Sequence, residues 1–187
     1  MYLALFLSPW VLIYAISTMA MNHRAFFQKL YDGQIVMFEK ERELTYAGTF
    51  PESAPPAAIA VQILSSLGMD GAHGARRIAD GRIVIHRAHP VAPRRITLAP
   101  ATGHLLIEKE VFRAPAFLER MHRRRGFQHD YALEDTWGVS VDTFIVAMIF
   151  WVLSGLWMWW EMRATWRLGI LFAAGGIALF AFYLTTL

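Results

Sequence analysis

Charged side chains are absent from Met1 to Asn22, from Thr143 to Trp160 and from Leu168 to Leu187. Each stretch is close to the roughly 20 apolar residues that a helix needs to cross a bilayer. The pattern predicts membrane helices over residues 1–22, 139–160 and 168–187. Residues 23–138 form a polar domain, and residues 161–167 a short link between the second and third spans. Pro9 removes one ladder hydrogen bond from the first helix and predicts a bend between Leu5 and Pro9, with Ser8 or neighbouring helices satisfying the freed backbone. No basic residue precedes this first apolar run, and it is longer than the about 7–15 residues of a signal-peptide core. It reads as an anchor.

Inside the polar domain the periodicity changes. Leu44 to Phe50 alternates apolar with small or polar residues, the pattern of a half-buried strand. Ser53, Pro55 and Pro56 open a helix that Gly68 closes: serine as cap, proline in the first turn, glycine as stop. Val61, Leu64 and Leu67 form its apolar stripe. Arg82 to Arg87, Arg94 to Leu98 and His104 to Glu110 read as strands, the last two joined by a turn over Ala99 to Gly103. Glu39 to Glu43 reads as a solvated charge run, and residues 113 to 136 return the chain to the membrane. The fold class expected is a membrane protein with three transmembrane helices and a small α+β domain, a helix packed on an antiparallel sheet.

Composition sharpens this picture. Of 187 residues, 56% are hydrophobic and 18% charged, against roughly 25% charged in soluble domains. The net charge of +3 comes largely from arginines beside the apolar runs. That suits a lipid surface, and no motif points to nucleic acid. Cysteine is absent, which removes disulfides, thiolate metal sites and cysteine nucleophiles. Trp157, Trp159, Trp160 and Trp166 surround the short link, and Trp137 stands at the other end of the second span, as membrane-interface anchors do. Arg163 and Arg167 in the link place it in the cytoplasm by the positive-inside bias of short loops. The polar domain then lies on the periplasmic side of a bacterial cytoplasmic membrane. Arg120, Arg123, Arg124 and Arg125 run against the bias, but large domains translocate largely regardless of charge.

Three stretches carry a likeness to a known family. Ile96-Thr-Leu-Ala-Pro-Ala-Thr-Gly-His-Leu-Leu106 resembles the strand–turn–strand of PepSY domains, with Ala99 where an aspartate is usual. Leu118-Glu-Arg-Met-His-Arg-Arg-Arg-Gly126 resembles the element before the returning helix of PepSY-associated transmembrane proteins. Ser154-Gly-Leu-Trp-Met-Trp-Trp160 is similar to the ending of that helix. The chain thus resembles the PepSY-associated transmembrane family, which implies a PepSY domain flanked by membrane helices. Larger members have four or more spans, and some are similar to ferric-siderophore reductases that hold haem between membrane histidines. No histidine lies within a span here, which argues against an autonomous two-haem reductase.

The candidate chemistry is sparse. His23 follows the first span, and His122 and His129 precede the second, so all three fall on one side of the membrane, where imidazoles could hold haem or a metal. His86 and His89 point to opposite faces of a continuing strand, while His73 and His104 read as lone, solvated residues. Met19 and Met21 beside His23 read as packing or lipid-facing residues. Asp130, Glu134 and Asp135 beside the arginine run read as an ion-pair network. No serine elbow, zinc-binding histidine pair, phosphate loop or dinucleotide fingerprint is present, so no enzyme and no resident metal are expected. Gly169 and Ala173, and Ala174 and Ala178, have the small-xxx-small spacing of a helix-packing interface. The function expected is a non-catalytic accessory or regulatory subunit docking on other membrane proteins. The alternative is a haem- or metal-binding redox component of iron or copper handling, built on His23, His122 and His129.

Overall fold

The computed structural model describes residues 2–51, 53–129 and 131–186. The elements in chain order are α1 (Tyr2–Asn22), α2 (Arg24–Leu30), β1 (Phe38–Thr45), α3 (Pro56–Ser66), β2 (His73–Arg77), β3 (Ile83–Arg87), β4 (Arg94–Ala99), β5 (His104–Glu110), α4 (Ala114–Arg123), α5 (Ala132–Glu161) and α6 (Trp166–Thr186). The helical stretches Tyr2–Asn22, Ala132–Glu161 and Arg163–Thr186 are each long and apolar enough to cross a membrane. α1 stays helical through Pro9. α5 reaches N-terminally beyond the apolar run that opens at Val139, with Glu134 and Asp135 in its first turn, where carboxylates favour the helix dipole. The chain divides into two compact units, residues 8–141 and residues 1–7 with 142–187.

In the first unit, five antiparallel strands lie in the order β1-β5-β4-β3-β2. Side chains two apart on a strand share a face. Ile83 and Ile85, Ile96 and Leu98, and Leu105 and Ile107 therefore form one apolar sheet, and Ile59, Ala60, Ile63 and Leu64 of α3 close over it. Leu64 was expected in that helix stripe, but Val61 is 56% exposed. The buried stripe is Ile59, Ala60, Ile63 and Leu64, and Pro55 rather than Ser53 occupies the cap position, with no side chain capping the helix.

The first strand departs from the expected one. It runs from Phe38 to Thr45, so the charge run Glu39 to Glu43 is strand rather than a loose solvated segment. Its charges suit an edge, where they discourage unwanted pairing. Glu41 sits at a register shift and takes both Nε and Nη2 of Arg94 at 2.7 and 2.8 Å. Tyr46 and Phe50 leave the ladder and stack at 5.6 Å against the rim of the core. β2 was not expected at all, since His73-Gly-Ala-Arg-Arg77 lacks an apolar alternation; it forms by pairing with the strongly apolar β3. The turn before β5 was legible. Gly103 has φ +66, and its carbonyl accepts the Tyr46 N–H at 2.7 Å.

In the second unit, a 3-10 turn over Arg163–Thr165 links α5 to α6. Trp159 lies on Gly169, where a Cβ would stand 2.0 Å from the indole Nε1. Trp166 donates its Nε1–H to the Trp160 carbonyl at 2.9 Å, with the two rings 4.8 Å apart. Trp157 donates to Glu161 at 2.9 Å.

Candidate functional site

The three candidate histidines have separate surroundings. His23 occupies the cap position of α2, exposed, with no side-chain cap bond. His122, on α4, has Nδ1 2.8 Å from Ser17 Oγ. Ser17 is fully buried and donates its hydroxyl to the Tyr14 carbonyl, so the imidazole Nδ1–H is the donor to Ser17. The Tyr14 ring meets His122 edge-on at 5.1 Å. His129 donates its backbone N–H and Nδ1–H to Glu134 Oε2 at 3.0 and 2.7 Å. Glu134 is 3% exposed and is engaged by this histidine rather than by an arginine. Asp130, expected beside it, lies outside the described residues. Among the described residues no group of three or more His, Asp or Glu is placed to share a metal ion.

The remaining histidines are also engaged. His104, expected to be lone, pairs through Nε2 with Glu43, which Lys40 also holds. Those partners, Lys40 first, hold the Glu43 carboxyl down at about 2. His73 turns its Nδ1–H back to the Gly71 carbonyl at 2.9 Å. His86 lies opposite Arg95 on the outer sheet face. Burial first, and then Arg76 and Arg95, lower its pKa. His89 lies past the end of β3, and its Nδ1 accepts the N–H groups of Val91 and Ala92 at 3.2 and 3.0 Å.

His89 also lines a cleft of about 360 Å³ whose wall is drawn from four segments, at residues 70–72, 87–90, 121–124 and 131–137. Arg120 fixes its rim by donating to the Pro90 carbonyl at 2.8 Å and pairing with the buried Glu110. Arg87 fixes the other side by donating twice to the Asp70 carbonyl, at 3.0 and 2.6 Å. Trp137, expected as a membrane-interface anchor, is half-buried in this wall and lies 5.3 Å from Trp10. Sequence reasoning missed this cleft. No motif marks it, because only the pairing of β2 with β3 and the return of α4 gather its walls.

The small-residue stripe of α6 has two parts. Gly169 is occupied by Trp159 of the same chain. Ala173, Ala174 and Ala178 are exposed, as is every described residue of α6 except Trp166 and Gly169, neither of which is fully buried. Gly175 and Gly176 have nothing within 4 Å of a Cβ.

The family model for PepSY_TM-like proteins matches residues 2–186, nearly the whole chain. The chain belongs to that family. The PepSY_TM-like match agrees with the likeness read from the Ile96–Leu106, Leu118–Gly126 and Ser154–Trp160 stretches, and it makes this a membrane protein. No curated protein and no solved structure matches this PepSY_TM-like chain.

Proposed function

We propose that the chain is a non-catalytic accessory membrane subunit. It holds a PepSY-like domain on the periplasmic side of a bacterial cytoplasmic membrane and docks on a larger membrane assembly through α6. The carrying observation is the uncovered small-residue face of that helix. Lipid tails are as apolar as leucine, so helices associate in a bilayer through close packing, which small residues permit. Ala174, Gly175 and Ala178 fall together on one such face, and no described residue of the same compact unit buries it. Gly169 belongs to the chain's own packing. Arg163 and Arg167 support the orientation, and family membership supports the module.

The test is a double variant, Ala174→Leu with Ala178→Leu, purified in mild detergent beside wild type. Leucine favours insertion, so both proteins should reach the membrane. The variant should lose co-migrating membrane proteins through overpacking worth roughly 1–3 kcal/mol. Phe172→Leu, at a position 78% exposed, should keep them. Retention of every partner by the double variant overturns the reading. So does a wild-type protein that runs alone with a Soret band, which would favour the histidines instead. A reporter after Leu187 should behave as extracytoplasmic and one near Ala164 as cytoplasmic; the reverse overturns the orientation.

A further inference from the structure

The cleft beside the start of α5 carries positive charge that its own walls do not neutralise. Arg124 has no carboxylate partner among the described residues. Arg87 gives its guanidinium to a neutral acceptor, the Asp70 carbonyl. Arg94 and Arg120, by contrast, are matched by Glu41 and Glu110. His89 registers the resulting field: burial first, then Arg87, Arg94, Arg124 and Arg120, hold its pKa below the ordinary value. Asp70 also lines the cleft, but it is exposed to solvent.

The hydrogen-bond inventory points the same way. With Nδ1 of His89 accepting two backbone N–H groups, the neutral ring carries its proton on Nε2 and has a donor to spare. Arg87, Arg124 and His89 thus bring donors, while Trp137, Met121 and Leu133 supply apolar wall. Trp137 just precedes the apolar run that opens at Val139, so the cleft adjoins the point where α5 turns apolar.

We infer that this cleft binds an oxyanion of the phosphate class carrying an apolar substituent, as a phosphodiester does. Guanidinium groups suit phosphate because their planar donors match its oxygens. The ligand could be supplied by an anionic phospholipid or by a soluble phosphoester, and the same chemistry serves both. The inference is independent of what α6 docks on.

The test uses the full chain in a neutral detergent, with melting temperature as the readout. The probes are short-chain dihexanoyl phosphatidylglycerol, dihexanoyl phosphatidylcholine and inorganic phosphate. Phosphatidylglycerol should raise the melting temperature saturably, and more than phosphatidylcholine, whose choline offsets the phosphate charge. If phosphatidylglycerol acts and phosphate does not compete, the source is lipid; if phosphate acts alone, it is a soluble phosphoester. Both results support the site. Arg124→Gln should weaken the effect by roughly tenfold, as loss of a charge-assisted bond does. Arg123→Gln, an exposed neighbour that pairs with Glu119, controls for net charge and should leave the effect unchanged. No shift with either anion overturns the inference, as does an equal loss from Arg123→Gln and Arg124→Gln.

Discussion

A Cβ placed on Gly126 would stand 2.3 Å from the Cα of Gly138 and 2.7 Å from its nitrogen. The loop that returns the chain to α5 therefore meets that helix backbone to backbone. Phe127 follows in the left-handed region, at φ 61, and lays its ring beside Gly138. His129 then closes the contact by giving both of its donors to Glu134. Two glycines, unremarkable in the sequence, set how closely the loop approaches the helix.

Gly126→Ala should therefore cost stability, on the order of 1–3 kcal/mol for an overpacked contact with no side chain to move aside. Gly138→Ala should cost less, because its new methyl meets the Phe127 ring, and Phe127 is 60% exposed and can swing outward. Melting temperatures of the detergent-purified variants read this order directly. A Gly126→Ala protein as stable as wild type would mean that the loop does not press on the helix.

Gly103 is constrained twice. Its φ of +66 disfavours any side chain, and an added Cβ would meet the Tyr46 carbonyl oxygen at 2.7 Å. Gly103→Val should lose about 1–3 kcal/mol from backbone strain alone, with the clash adding to that loss. Gly103→Asn separates the two causes, since asparagine tolerates the left-handed region but still brings a Cβ. Both variants should melt below wild type. Full stability in Gly103→Asn would leave only the backbone term.

Stability should fall in two stages as pH drops. His86 is held below its ordinary value of 6.5 by burial, Arg76 and Arg95. The unfolded chain then binds this proton more readily than the folded one. Its contribution is complete above pH 6.5 and is lost as pH falls toward the lower folded value. Glu108 and Glu41 are held below 4.5, chiefly by hydrogen bonds from Arg95 and Arg94. Their contribution is complete above pH 4.5 and fades only in stronger acid. Melting temperature against pH should start to decline below 6.5, and His86→Gln should flatten that first decline. An unchanged slope in the variant would exclude His86 as its source.

The parts legible from sequence are those where one period dominates. Charge-free runs marked the membrane helices, and Ile83–Ile85, Ile96–Leu98 and Leu105–Ile107 declared the inner strands through their own alternation. The edges did not declare themselves. β2 contains no large apolar residue, and β1 looks like surface because most of its length is exposed. Both are strands because a neighbour supplies the ladder. The candidate site was less legible than the fold. His122 and His129 were singled out, but Ser17, more than a hundred positions from His122, and the buried Glu134 were visible only once the chain had folded. Arg87, His89 and Arg124 come from three separate segments, and no local spacing joins them.

The pairing of β1 with β5 also sets an order of events. β3, β4 and β5 can form from consecutive hairpins, whereas β1 must wait for a partner about 60 residues downstream, after a loop closure whose entropic cost precedes any gain. During synthesis, β1 emerges well before β5 exists. A strand left waiting beside a membrane invites capture by another chain's edge or by lipid. The alternating charges of Lys40, Glu41, Arg42 and Glu43 make such capture expensive, and Glu41 and Glu43 meet Arg94 and His104 only when the sheet closes. The charge run thus acts as a temporal guard, keeping the earliest strand unattached until the latest one arrives.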